Sequence, residues 1–119
     1  MPTLDRAAIL AAKDIPTEVI TVPEWGGDVL VKALTSEERD AWENFCAEQR
    51  ERWGTRIANN IRASLAVRSV VDEEGKRLFT DAEVELIGAK AGSAVDRITD
   101  VAMRLSRIGT ADLEQLKKS

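Results

Sequence analysis

The chain has no histidine, no tyrosine and a single cysteine among its 119 residues. Without histidine, Ser–His and Cys–His nucleophilic sites are excluded, as is any zinc site that needs imidazole. Cys46 alone cannot close a disulfide within the chain or assemble a thiolate cluster for zinc or iron–sulfur. A reducing cytoplasm is therefore the expected setting. No run approaches the roughly 20 apolar residues that span a bilayer. Met1-Pro2-Thr3-Leu4-Asp5-Arg6 lacks the basic start and apolar run of a secretory leader, so neither membrane nor export is expected. Positive charge is also short: 17 Lys and Arg stand against 21 Asp and Glu, a formal net charge of -4. Those cations are interleaved with acids, and nucleic acid is not an expected partner. Only carboxylates, lysine and arginine remain for catalysis. No catalytic, cofactor-binding or metal-binding residue is assigned, and the chain is not expected to be an enzyme.

What is present is an ordinary globular composition. The 44 % hydrophobic fraction argues against wholesale disorder, and the length fits a single domain over residues 1–119. Residues 3–12 predict a short helix capped by Thr3, ended by Ile15-Pro16. Thr17–Val22 and Asp28–Lys32 are rich in β-branched residues and flank Pro23-Glu24-Trp25-Gly26-Gly27, which predicts a β-hairpin with Trp25 in or beside its loop.

Thr35-Ser36-Glu37-Glu38 is a capping-box pattern. The helix it opens carries Trp42, Phe45, Cys46 and Trp53 on one face, continued by Ile57, Ile61 and Leu65. Unbroken phase across Gly54 predicts one long helix over about 36–67. Two short extended pieces around Asp72-Glu73-Glu74-Gly75 predict a second, small hairpin. Thr80-Asp81-Ala82-Glu83 is another capping box, with Gly92 as a stop and Ser93 as the next cap. Ala94 to Ile108 forms an apolar helical face ended by Gly109, and Thr110 opens a short final helix with Leu113 and Leu116. The expected class is α+β: a mostly helical single domain with an N-terminal β-hairpin and a second short hairpin.

Several features invite a chemical reading. Cys46 shares the apolar face of Trp42 and Phe45, so its phase predicts burial rather than reactivity. Asp72-Glu73-Glu74-Gly75 lacks the alternating twelve-residue ligand pattern of a calcium loop and is expected to be a solvated turn. Asp96 and Asp100, one turn apart, are expected at the surface. The mixed charges from Glu37 to Arg56 predict a solvated helix face. Trp25-Gly26-Gly27 has two readings. Its tryptophan either folds back on the hairpin and helices, or stands at the tip as a partner anchor, a role in which Trp is enriched. Trp25, Gly26 and Gly27 are the candidate partner-binding residues.

The order of segments is informative as a whole. A start of Asp5-Arg6-Ala7-Ala8-Ile9-Leu10 leads to Val22-Pro23-Glu24-Trp25-Gly26-Gly27 and then Leu34-Thr35-Ser36-Glu37-Glu38. Val71-Asp72-Glu73-Glu74-Gly75-Lys76-Arg77-Leu78-Phe79-Thr80 and Ala102-Met103-Arg104-Leu105-Ser106 follow. Together these resemble the small tail assembly chaperones of long-tailed phages and prophages, along nearly the whole chain. The resemblance implies a non-catalytic role in the host bacterial cytoplasm. Such proteins bind the tape measure protein, keep it soluble, help tail tube protein polymerise around it, and are absent from the mature virion. Covering a long apolar helix by spaced anchors suits a helix-in-groove surface, and self-association would add avidity. Two alternatives are a structural virion component, such as a head–tail completion protein, and a small ligand-binding domain, which would need an apolar pocket with convergent polar groups.

Overall fold

The computed structural model describes residues 3–53 and 60–109. Helix α1, Arg6–Ala11, begins two residues later than expected because Asp5, not Thr3, is its cap. Asp5 Oδ1 accepts from the Ala8 N–H at 2.9 Å. Ala12 turns the chain to extended backbone, with φ -64° and ψ 133°. The Pro16 carbonyl then accepts from the Ala33 N–H at 2.9 Å, fixing where the sheet starts.

Strands β1, Thr17–Val22, and β2, Gly27–Lys32, form the expected antiparallel hairpin with Val19 opposite Leu30 and Ile20 opposite Val29. Pro23–Trp25 makes one 3-10 turn, and Gly26 closes it in the left-handed region at φ 72°, where only a residue without Cβ is unstrained. A third strand, β3, Val70–Val71, pairs with the other side of β2, giving the order β1-β2-β3. The second hairpin shrinks to one bridge, Val71 with Arg77. Val70 and Val71 also pair with β2, about 40 residues distant in sequence, which local pattern does not reveal, while the Val70 carbonyl accepts from the Leu78 N–H at 3.1 Å.

Helix α2, Ser36–Trp53, opens on the expected box: the Glu38 N–H donates to Thr35 Oγ1 at 3.1 Å, and the Thr35 N–H donates to Glu38 Oε1 at 2.9 Å. The single long helix is corrected. Asn60 stands in the left-handed region at φ 61°, and a separate helix α3, Ile61–Ser69, follows it. Its side chain lies against Gly88, where an added Cβ would sit 2.5 Å from Asn60 Oδ1. Any larger residue at position 88 would have to displace the Asn60 side chain. Arg62 is the one residue of α3 that is not buried, so the helix runs through the middle of the molecule with neighbours on every side. It packs against α2, against α4, Val84–Gly88, and against α5, Gly92–Leu105. Ile57 lies outside the described residues, as does the predicted final helix with Thr110, Leu113 and Leu116.

Two helix ends depart from expectation. Gly92 is the first residue of α5 rather than a stop, and Ala91, not Ser93, holds the cap position. At the other end Arg107, not Gly109, takes the left-handed position at φ 56°. The Arg107 N–H donates to the Arg104 carbonyl at 3.3 Å and the Ile108 N–H to the Met103 carbonyl at 2.8 Å, a Schellman motif whose apolar residue Ile108 is 4 % exposed. The core lies between the inner sheet face, with Val31 and Val70, and the helices, with Trp42, Leu65, Val67, Ile98 and Ala102. Each such side chain contributes roughly 1.5–3 kcal/mol by leaving water. The result is the expected α+β class, with five α-helices and a three-stranded antiparallel sheet among the described residues.

Candidate partner-binding surface

The interior holds its reactive groups shut. Cys46 has no exposed surface, and burial pushes its thiol up to about 12. Trp42, in the same core, donates its indole N–H to the Ile61 carbonyl at 3.0 Å and is itself satisfied. Among the described residues no three His, Cys, Asp or Glu side chains converge as metal ligands. In the acidic turn, Asp72 Oδ1 accepts from the Glu74 and Lys76 N–H groups at 2.8 and 3.0 Å, an Asx turn closed by Gly75 at φ 85°. Asp100 is exposed, and Asp96 pairs with Arg62 at 3.0 Å.

Charge is spent on locking the segment between β3 and α4. Lys32, 7 % exposed, hydrogen-bonds Glu38 and donates to the Ala33 carbonyl at 3.1 Å. Burial acts to raise the Glu38 carboxyl, but the bonds from Lys32 and the Thr35 N–H, with the charges of Lys32 and Arg77, bring it below the usual range. Arg77 reaches Asp81 at 2.6 Å and donates twice to the Val67 carbonyl, at 3.2 and 3.1 Å. Arg68, 4 % exposed, hydrogen-bonds Ser64 and pairs with Asp81 at 3.4 Å; burial pushes its guanidinium pKa down, Asp81 opposing. The solvated face predicted for α2 holds for Arg39 and Glu43, an exposed pair at 3.1 Å, but not for Glu38.

The hairpin tip combines the two readings of its tryptophan. Trp25 is half-buried and packs against the edge of the core, leaving part of its ring accessible. Gly26 and Gly27 beside it are exposed, with open space where a Cβ would stand. Glu24 tethers the tip to α5: its carboxylate accepts from Arg97 Nε at 2.9 and 3.1 Å and lies below its ordinary pKa, with the Ser93 hydroxyl as the main cause. The three consecutive candidate residues thus lie on one accessible loop.

Two further apolar surfaces escaped the sequence reading. Helix α1 buries none of its residues, and Ile9 and Leu10 are 57 % and 69 % exposed. On the outer face of the sheet, Val19, Leu30 and Val71 line up across all three strands, because directly opposed residues share a face. Leu78 extends this row, and the hollow there has a volume of about 380 Å³. The signal was present in Val29-Leu30-Val31: three consecutive apolar residues mean that a strand is apolar on both faces.

The chain is thus a small α+β domain with sequestered reactive side chains and exposed apolar surfaces. A family profile described as phage tail assembly chaperone matches residues 3–118, and the chain belongs to that family. Its fold is similar to that in the "Structure of bacteriophage HK97 tail assembly chaperone", with a TM-score of 0.59 at 20 % sequence identity. That match covers 82 % of this chain and 88 % of the HK97 chain. No curated protein sequence matches significantly.

Proposed function

We propose that residues 1–119 act as a single non-catalytic unit that binds the tape measure protein of its phage in the bacterial cytoplasm. It keeps that protein soluble, promotes polymerisation of tail tube protein around it, and leaves before the virion matures. The observation that carries this reading is family membership over residues 3–118. The exposed apolar surfaces at Trp25, α1 and the outer sheet face support it, since a factor that covers apolar helices must itself display apolar anchors. The tip of Trp25, Gly26 and Gly27 is the anchor for the tape measure helix. Self-association multiplies weak contacts, so each is reversible while the assembly holds.

Co-expression with the tape measure protein of the same genome tests the proposal. A tape measure that becomes soluble only with this chain, and co-elutes with it, supports the chaperone role. An unaffected tape measure overturns it. Detection of this chain by mass spectrometry in purified particles would place it instead among virion components.

A further inference from the structure

Helix α1 is anomalous in isolation. Six residues are too few for a helix to persist in water without packing, yet no residue of α1 is buried. Arg6, Ile9 and Leu10 fall at positions i, i+3 and i+4, so two large apolar side chains and one guanidinium share a face. The outer sheet hollow is the complement. Its apolar floor is the row Val19, Leu30 and Leu78, and Val19 and Leu78 are 63 % and 56 % exposed. Its rim carries the carboxylates Asp28, Asp72 and Glu73, and no Lys or Arg lines it among the described residues.

We propose that α1 of one copy docks in the outer sheet hollow of a second copy. Ile9 and Leu10 lie on Val19, Leu30 and Leu78, and Arg6 faces the acidic rim. Connection geometry favours exchange over self-docking. Ala12 is extended, Ile15 precedes a proline, and Pro16 is pinned to Ala33, so α1 is carried away from its own sheet. The hollow of the same copy is left open. This deepens, and rests on, the self-association proposed above.

The test uses the full-length chain with single cysteines placed on the two surfaces. Cys46 is buried and does not compete. Leu10→Cys and Val19→Cys variants, mixed and oxidised, are expected to give a disulfide-linked product of two chains. In parallel, Leu10→Asp, at a side chain 69 % exposed, is expected to keep the far-UV circular dichroism and to lose the oligomer seen for the wild type by sedimentation. Absence of the mixed cross-link overturns the proposal. So does a disulfide that forms only within one chain of the Leu10→Cys/Val19→Cys double variant. If Leu10→Asp remains oligomeric, self-association stands on another surface and this docking is wrong. If the wild type is monomeric throughout, self-association itself fails, and the co-expression assay judges tape measure binding separately.

Discussion

Two residues show how position overrides residue type. The Cys46 thiol, held up to about 12 by burial, stays protonated in the folded chain at any physiological pH. In the unfolded chain it ionises near its ordinary value of 9.0. A proton held more tightly when folded stabilises the fold below pH 9 and ceases to do so as pH rises from 9 toward 12. Native protein at pH 8 is therefore expected to resist a thiol reagent that labels it fully in urea; rapid native labelling would show an open path to Cys46. Arg107 is a non-glycine residue in the left-handed region at the end of α5. Arg107→Gly should relieve that strain and raise unfolding stability by about 0.5–1 kcal/mol, read from the urea midpoint. A decrease would mean that the Arg107 side chain does more than turn the chain.

At the level of elements, the start of α2 joins local and long-range structure through one carboxylate. Glu38 accepts from the Thr35 N–H, as its sequence spacing predicts, and also neutralises the buried Lys32. Thr35→Ala removes only the cap and is expected to cost about 1 kcal/mol. Glu38→Ala also strands Lys32 and is expected to cost about 3 kcal/mol. Equal costs in urea unfolding would show that the ion pair adds nothing. Because the Glu38 pKa is depressed in the fold, its contribution is present above the unfolded value of 4.5 and fades as pH falls below it. The acid limb of the stability profile should therefore flatten in Glu38→Ala. Both capping boxes were legible because their partners lie three residues apart; in the second, the Thr80 N–H donates to Glu83 Oε1 at 2.8 Å ahead of a 3-10 turn, Asp81–Glu83. The helix break at Asn60 was not. α3 is buried nearly all round, so apolar phase says nothing about which way it faces, and the turn answers to Gly88 of another helix.

For the whole molecule, substitutions at the hairpin tip test stability apart from the recognition proposed there. Trp25→Ala removes a half-buried ring and should lower stability by about 2 kcal/mol as well as weaken tape measure binding. Gly27→Lys adds bulk where nothing lies within 4 Å, so it should leave the unfolding curve within about 0.5 kcal/mol while blocking the tip. Co-purification undiminished by Gly27→Lys would move the anchor elsewhere. The tip was readable because proline and paired glycines announce a turn. The outer sheet face was not, since its row is assembled from three strands, and only Leu30 hinted that β2 has two apolar sides. The central placement of α3 carries a consequence in time rather than space. Its amide protons should be the last to exchange with deuterated water, released only by global opening, while those of α1 should exchange first in the undocked single chain. Such a gradient would let α1 open and reclose on a clock of its own, while the middle of the protein keeps its protons.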